Sequence, residues 1–346
     1  MPSARTPPSS SASSSSRALS LSPQGRGQGE EWCSTHFPTP PRIPCEMTRR
    51  QWALLGLLAM LWGGAFFFSK VALGELPPFT VVLVRFGVAA AAMLAVVRLT
   101  GQRMPRSLRV WAGFALLGLL NSFLPFSLIA WGQVHITSGL ASILNAATPL
   151  FTALVAHALG QERLTAHRVV GVLLGLGGVA VLIGPGALQQ MGVHTWSELA
   201  IVGAAVSYAL AGTYGRRFRA MPAVVPVAGM LTTAALMALP IALVLDRPWT
   251  ARPSLPVWGA LLALALLTTA LGFWLYFRLL SSAGATNVML VTLLIPVTAL
   301  LLGSLVLDEP VTTTALAGMA LIGAGLLAID GRRLRRRPAL RPRPTG

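Results

Sequence analysis

Residues 147–165 read ATPLFTALVAHALGQERLT, and residues 294–312 read LIPVTALLLGSLVLDEPVT. In both stretches a proline opens an apolar run, a glutamate follows the run, and a threonine stands three residues after the glutamate. One common offset in residue number separates three matching pairs: Pro149 and Pro296, Glu162 and Glu309, Thr165 and Thr312. The chain therefore contains an internal duplication, and this duplication decides the fold.

The duplication extends well beyond these two stretches. The same offset joins Trp111 to Trp258, Phe126 to Phe273, Gly171 to Gly318, and Gly178 to Gly325. With small adjustments in the loops, Trp62 falls opposite Tyr208, and Lys70 falls opposite Arg216. The body of the molecule is thus predicted to be two copies of one structural unit.

The composition indicates a membrane protein. The chain is 54% hydrophobic and only 11% charged, whereas soluble domains carry about a quarter charged residues. This charge is too little to cover a soluble globule. The net charge of +17 would by itself suggest nucleic acid as a partner. The arginines, however, crowd the tails and a few short loops between long apolar blocks, so nucleic-acid binding is not expected.

The apolar blocks predict the number of membrane spans. Each block approaches the ~20 residues that a spanning helix needs, and short connections favour antiparallel neighbours. The sequence therefore predicts an all-α membrane protein with ten transmembrane helices, at residues 52–72, 79–97, 108–131, 136–159, 167–184, 197–215, 223–245, 256–278, 284–307 and 313–330.

The two copies are predicted to cover residues 49–186 and 195–331. Each copy holds five helices, and since five is an odd number, the second copy must lie upside down relative to the first. Inverted repeats of this kind are typical of alternating-access transporters, whose substrate site lies near the bilayer midplane between the halves.

The arginines predict the orientation in the membrane. Basic residues concentrate in the loops at 98–109, 163–168 and 216–219 and in the C-terminal tail at 332–346. Because cytoplasmic loops carry an excess of Lys and Arg, both termini are predicted to lie in the cytoplasm, and the membrane is taken to be the inner, cytoplasmic membrane. The basic tail is also expected to contact anionic lipid.

The N-terminal tail is predicted to be disordered. Residues 1–46 are rich in Ser, Pro and Arg, and such a segment cannot bury a core. Met47 is followed by a short basic flank and an apolar helix. One hypothesis is that Met47 is the true start and that residues 1–46 lie upstream of it. The alternative is an unstructured cytoplasmic arm.

Three stretches carry a family resemblance: WGGAFFFSKVALGELPPFTVVLVRF (62–86), TSGLASILNAATPLFTALVAHALGQERLT (137–165) and SAGATNVMLVTLLIPVTALLLGSLVLDEPVT (282–312). With two five-helix repeats, the chain resembles the EamA branch of the drug/metabolite transporter superfamily over about residues 49–331. The resemblance implies a transporter that exports amino acids, other metabolites or drugs. It does not select among these substrates.

Arg85 is the outlier among the apolar helices, because a charge at that depth is costly and is by default a functional candidate. It is predicted to face the cavity and bind an anion; the alternative is a bond to exposed carbonyls or a side chain that extends to the interface. The remaining candidates are polar or aromatic residues of the central helices, which either contact substrate or join helices by hydrogen bonds. The predicted cavity residues are Trp62, Arg85, Asn121, Asn145, Tyr208, Trp274 and Asn287.

Proline and glutamate pairs from the repeat are predicted to act in conformational change. Pro149 and Pro296 each remove a backbone donor within a helix, so they are hinge candidates or static kinks. Glu162 and Glu309 are predicted to organise helix junctions or to form a gate salt bridge with an arginine. Each precedes a threonine that can cap the next helix.

The leading hypothesis is a transporter that moves a small polar metabolite, such as an amino acid or derivative, outward by alternating access. The alternatives are an efflux protein for drugs or toxic compounds and a membrane sensor or scaffold. An enzyme is not expected: the body has no cysteine, its histidines are scattered, and no catalytic motif occurs. No metal or cofactor is implied. A small-molecule substrate and membrane lipid are the expected partners, with a homodimer left open.

Overall fold

The structure is a computed structural model that describes residues 48–160, 165–184, 192–283, 288 and 290–330. Within these ranges the chain is helical, with short connections and no β-strand. The expectations for the two tails, for Met47, for Glu162 and for Asn287 concern residues that lie outside the described ranges.

The helices are labelled here in chain order. They are α1 Arg49–Leu73, α2 Pro78–Leu99, α3 Leu108–His135, α4 Ser138–Ala158, α5 Ala166–Ile183, α6 Val193–Gly215, α7 Val224–Asp246, α8 (Leu255–Leu262, continued by Ala263–Leu271 and Gly272–Ala283), α9 Val291–Val306 and α10 Thr313–Asp330. By length and hydropathy, the seven helices α1–α5, α7 and α8 can cross a membrane, while α9 and α10 are shorter apolar helices. The predicted total of ten spans remains a prediction.

Several helix ends follow signals that are visible in the sequence. Thr48 begins α1 with a capping box, in which its hydroxyl accepts from the Gln51 backbone and the Gln51 side chain accepts from the Thr48 backbone. The hydroxyl of Thr312 accepts from the backbone N–H of Ala315 at 3.1 Å, which caps α10 as expected. Thr165 stands at the corresponding position before α5, but its side chain makes no capping bond.

The two halves of the chain contact each other in a symmetric pattern. Helix α2 packs against α7, and α5 packs against α10. Helix α6 packs against α3 and α4, just as α1 packs against α8 and α9. Exchanging α1–α5 with α6–α10 therefore reproduces the same set of neighbours, as expected for two copies of one unit related by a pseudo-two-fold axis.

The corresponding helices run in opposite directions. At the α5–α10 contact, Gly171 faces Gly325 and Gly178 faces Gly318, so residue numbers rise along one helix as they fall along the other. At the α2–α7 contact, the backbone N–H of Thr80 near the start of α2 donates to Asp246 at the end of α7 at 2.6 Å. This antiparallel pairing is the geometry that an inverted repeat requires.

Helices α3 and α8 share an irregularity at corresponding positions. Residues Leu119–Phe123 of α3 and Ala263–Leu271 of α8 are π-helical, and such wide turns occur frequently at functional sites. In α3 the ring of Pro125 cannot donate to the carbonyl of Leu120, which instead accepts from the Ser207 hydroxyl of α6 at 2.7 Å. The irregular turn is thus stabilised by the other half of the chain.

The two hinge candidates lie in different surroundings. Helix α4 is interrupted after Asn145 and resumes at Thr148, with Pro149 in the first turn of the second piece. Pro296 lies inside the continuous helix α9. Only the first proline marks a visible discontinuity, and the hinge role of both remains a prediction.

The α5–α10 contact can be tested with two glycines of α5. A Cβ atom at Gly171 would lie 2.6 Å from the carbonyl oxygen of Gly325, whereas a Cβ at Gly177 would meet nothing within 4 Å. We expect Gly171→Ala to lower the free energy of unfolding by about 1–3 kcal/mol through overpacking. Gly177→Ala is expected to leave it unchanged or slightly raised. Thermal unfolding of the purified variants, followed by tryptophan fluorescence, measures both, and equal melting temperatures would contradict the contact.

Candidate functional site

Arg85 lies at the centre of the candidate site. Its side chain is buried, with 7% exposure. The guanidinium carbon lies 4.0 Å from the centre of the Phe126 ring of α3, and Nε donates to the Thr269 hydroxyl of α8 at 3.0 Å. A longer contact of 3.5 Å joins Nη2 to the Thr268 hydroxyl. The side chain therefore points into the bundle between α3 and α8.

No carboxylate balances this charge within the described part of the chain. The Arg85 contacts there are hydroxyls and aromatic rings. Insertion of an arginine at the centre of a membrane-spanning helix costs a free energy of roughly 2.5–3.5 kcal/mol. A guanidinium offers five donors, and several of those on Arg85 remain available to a ligand.

Two aromatic pairs lie on either side of the pseudo-two-fold axis. The rings of Phe126 and Tyr208 meet edge to face with centroids 5.9 Å apart. The rings of Phe273 and Trp62 meet in the same way at 6.4 Å. Since Phe126 corresponds to Phe273 and Tyr208 corresponds to Trp62 in the duplication, the two contacts are equivalent. Tyr276 adds a further ring at 5.5 Å from Trp62.

The asparagine candidates are placed apart from one another. Asn121 lies in the π-helical part of α3, and its Nδ2 contacts the Met230 sulfur of α7 at 3.5 Å. Asn145 lies at the interruption of α4, where its Oδ1 is buried without a hydrogen-bond partner in the described residues. A buried amide oxygen of this kind is available to a bound molecule or a water.

Trp274 lies away from Arg85. It is 45% exposed, and the Arg278 guanidinium lies 5.1 Å from its ring centre. Together with Phe273 and Phe277, it lines a separate cavity of about 390 Å³ beside the start of α7. The structure therefore joins Arg85 and Tyr208 through Phe126. Trp62 contacts the equivalent ring of Phe273, which also lines the cavity beside Trp274.

The corner between α3 and α4 is fastened by two side chains. The Lys70 ammonium of α1 donates to the carbonyls of Gln133 at 2.6 Å and Ile136 at 2.9 Å. The buried amide of Gln133 donates back to the Phe66 carbonyl of α1 at 2.9 Å. The last carbonyls of α3, which have no partners within their own helix, are thereby satisfied by α1.

Glu309 fastens the other side of this corner. Its carboxylate accepts from the Ser138 backbone N–H at 2.9 Å and from the Ser138 hydroxyl at 2.6 Å, at the start of α4. The preceding residue, Asp308, has a left-handed backbone with φ of 52°, and the Glu309 N–H donates to the Gly303 carbonyl at 3.0 Å. The chain thus turns back over the end of α9. Lys70 and Glu309 also attract each other electrostatically.

Three helix starts share this arrangement. The carboxylate of Asp246 accepts from Thr80 in the first turn of α2, and that of Glu75 accepts from the backbone and hydroxyl of Ser254 before α8 at 2.7 and 2.6 Å. A negative charge at a helix N-terminus is stabilising. The bonds from Ser254 lower the pKa of Glu75 because they favour the charged carboxylate. We name this end of the bundle, where α2, α4 and α8 begin, the capped end.

Glu198 shows a burial that the sequence did not reveal. It lies in the second turn of α6, and its side chain is only 8% exposed. The neighbouring Ser197 is also buried, and its hydroxyl lies 3.3 Å from His135 Nδ1 of α3. Glu198 is thus a buried carboxylate near the start of α6.

Comparison with known proteins identifies the family. The chain matches the EamA-like transporter family twice, over residues 50–184 and 195–329. The chain belongs to this family. It is accordingly a multi-pass membrane protein with two EamA repeats, and its function is that of a transporter.

Several relatives are similar to this EamA protein along most of its length. An uncharacterized transporter of Archaeoglobus fulgidus is 28% identical over 82% of this chain and 100% of its own. A probable terminal-alkyne amino-acid exporter of Streptantibioticus cattleyicolor is 29% identical over 86% of this chain and 99% of its own. The uncharacterized inner membrane transporter YedA of Escherichia coli is 28% identical over 71% and 79%.

One solved crystal structure shares the fold of this EamA protein. It superposes with a TM-score of 0.60 at 23% identity, and the match covers 82% of this chain and 98% of the other. At this identity the likeness supports the fold alone.

Sequence reasoning missed several residues around Arg85. Phe126, Thr268 and Thr269 surround the guanidinium, although none was selected as a site residue. The pairing of Phe126 with Phe273 in the duplication was one usable signal, because it marked an aromatic position shared by both repeats of the EamA fold. The threonines gave no such signal. Tyr276, which also was not selected, packs on Trp62.

The contact between Glu309 and α4 can be tested by removing its charge. We expect Glu309→Gln to lower the free energy of unfolding by about 1–2 kcal/mol, because the bonds from Ser138 lose their charged acceptor. Asp308→Asn is the matched control: Asp308 is exposed, and Asn tolerates its left-handed backbone. Melting temperatures of both purified variants measure the difference. A Glu309→Gln protein that melts with the wild type would show that the carboxylate does not stabilise this corner.

Proposed function

We propose that this protein exports a small polar metabolite bearing a carboxylate, such as an amino acid or a derivative, by alternating access. In this proposal the chain spans the inner membrane ten times as two inverted five-helix repeats, with both termini in the cytoplasm. The family supplies the transporter function. The substrate class, the direction and the exact topology are the proposed parts.

The observation that carries the substrate class is the buried guanidinium of Arg85. It contacts the hydroxyls of Thr268 and Thr269 in the π-helical part of α8 and the ring of Phe126 just after the π-helical part of α3, without a carboxylate partner in the described residues. A guanidinium binds a carboxylate through two parallel hydrogen bonds. The aromatic pair of Phe126 and Tyr208 beside it offers an apolar surface for the rest of a small substrate.

The capped end supports an alternating-access cycle. With both termini in the cytoplasm, the helix starts at this end face outward. There Lys70 and Glu309 fasten the α3–α4 corner to α1 and to the end of α9. We infer that these contacts close the outer path and separate when the outward-open state forms. Glu309 would then close the gate by its contacts with the N-terminus of α4 and its attraction to Lys70. The sequence had suggested a salt bridge with an arginine in this role.

The direction is proposed from one relative and from the family. The relative from Streptantibioticus cattleyicolor is described as a probable terminal-alkyne amino-acid exporter. An amino acid carries the carboxylate that Arg85 can bind. Efflux of an uncharged drug remains the alternative, and it would give Arg85 no electrostatic role.

Metabolite profiling of medium and cells tests the function and the site together. We expect a strain that overproduces the protein to accumulate a carboxylate-bearing compound outside and to lose it inside. Arg85→Ala should reduce this export roughly tenfold or more, because hydrogen bonds to a charged group contribute about 1.5–3 kcal/mol. Arg85→Lys keeps the charge but loses the paired geometry, so it should export at an intermediate rate.

The control variant is Arg252→Ala, in an exposed loop at the capped end. It should export like the wild type, and membrane levels of all variants should be equal. Export of an uncharged compound that is insensitive to Arg85→Ala would overturn the carboxylate site and support drug efflux.

The topology is tested by single cysteines in a background where Cys33 and Cys45 are replaced by serine. We expect cysteines placed between α5 and α6, at 185–192, to react with an impermeant thiol reagent in intact cells. Cysteines placed at 101–107 should react only after the membrane is permeabilised. The reverse labelling pattern would invert the proposed orientation and with it the outward position of the capped end.

A further inference from the structure

A second cavity lies at the end of α2, remote from the candidate transport site. Its volume is about 520 Å³. Its wall combines apolar side chains with three arginines, and its lining residues are Leu94, Val97, Arg98, Gln102, Arg103, Met104 and Arg106. No acidic residue occurs anywhere between Glu75 and Glu162 in the sequence. The cavity is therefore strongly positive on one side and apolar on the other.

The loop that forms this cavity has a defined structure. Helix α2 ends at Leu99, and Gly101, just after it, has a left-handed φ of 70°. The N–H of Gln102 donates to the Val97 carbonyl at 3.0 Å, and the N–H of Gly101 donates to the Arg98 carbonyl at 3.1 Å. These two bonds form a Schellman motif, which reverses the chain direction. The reversal brings the residues after Gly101 back toward the last turn of α2.

Two further contacts hold the loop against the helices. Met104 packs on the core cluster that contains Met93 and Val97. The indole N–H of Trp111 donates to the Pro105 carbonyl at 2.8 Å. The arginines on either side of Met104 are thus presented from an ordered backbone, and their guanidinium groups make no hydrogen bond within the described part of the chain.

The surroundings of the cavity match the membrane interface. Leu99 and Leu108 flank the loop and are 87% and 86% exposed. Arginines beside exposed apolar side chains are favoured at membrane interfaces, where the charged group extends to the headgroups. A positive group at this level lies where phosphate groups of the bilayer are found.

We propose that this cavity binds the phosphate-bearing headgroup of an anionic phospholipid. The guanidinium groups of Arg98, Arg103 and Arg106 bind the phosphate oxygens, for which paired N–H donors are suited. Leu94, Val97 and Met104 pack against the glycerol and the first methylenes of the acyl chains. A topology signal alone requires only basic charge in the loop, whereas convergence of three arginines on one partly apolar cavity provides a binding site. The inference depends on the multi-pass membrane assignment and not on the transported substrate.

The test uses the purified full chain in detergent and compares three additions. Phosphatidylglycerol supplies an anionic headgroup, phosphatidylcholine supplies a zwitterionic one, and inorganic phosphate supplies the anion alone. Native mass spectrometry counts bound lipids, and thermal unfolding reports stabilisation. We expect phosphatidylglycerol to bind and to raise the melting temperature, with little effect from the other two additions.

Variants connect the effect to the cavity. We expect each Arg→Gln substitution at 98, 103 or 106 to weaken phosphatidylglycerol binding about fivefold. The paired control, Arg247→Gln with Arg252→Gln, removes two arginines from the opposite end and should leave binding unchanged. The triple Arg→Lys variant preserves the charge and therefore the insertion signal, yet it should bind more weakly than the wild type at physiological salt because lysine lacks the paired donors.

Three results would overturn the proposal. One is equal binding of phosphatidylcholine and phosphatidylglycerol. Another is a triple lysine variant that binds phosphatidylglycerol as tightly as the wild type, which would reduce the arginines to diffuse charge. The last is full stabilisation by inorganic phosphate alone, which would assign the cavity to a soluble anion.

Discussion

The need to satisfy backbone polar groups away from water shapes this molecule. In a lipid environment each unpaired N–H or C=O group costs several kcal/mol, so every irregular point along a helix needs a partner from elsewhere. The Ser207 hydroxyl donates to a carbonyl in the π-helical turn of α3, and the Lys70 ammonium donates to carbonyls at the end of α3. The carboxylates of Asp246 and Glu309, in the second half, accept from backbone N–H groups at the starts of α2 and α4. Many of these bonds cross between the repeats, and they hold the halves together at their ends.

The centre of the molecule is symmetric in its aromatic rings and asymmetric in its charge. The contacts of Phe126 with Tyr208 and of Phe273 with Trp62 are equivalent under exchange of the repeats. Arg85 has no cationic counterpart in α7, whose residues Val224–Ile241 are uncharged. In the proposed transport cycle, the symmetric frame would allow the two halves to exchange conformations, and the single charge would orient a bound ligand.

The sequence predicted the frame far better than the site. The repeated Pro, Glu and Thr positions and the apolar blocks were sufficient to predict the helices and the duplication, because burial in lipid demands long apolar runs. Pro149 marked block 136–159 for a hinge or a kink, but the sequence did not predict that α4 is interrupted between Asn145 and Thr148. The role of Glu309 at the start of α4 was equally hidden. Glu309 and Ser138 lie far apart in the sequence, and only the fold brings them together.

The turn after α9 also constrains which sequences can occupy it. A side chain at Gly303 would collide with the Glu309 carboxylate and come within 2.8 Å of the Ser138 hydroxyl. The glycine, the glutamate and the serine therefore form one packing unit, although they are dispersed over two repeats. Exchange of any one among related chains would have to be accompanied by changes in the others. Substitutions at these three positions should thus be correlated across homologous sequences. The LDEPVT stretch alone, moved into another protein, would lack the glycine and the serine that its glutamate contacts.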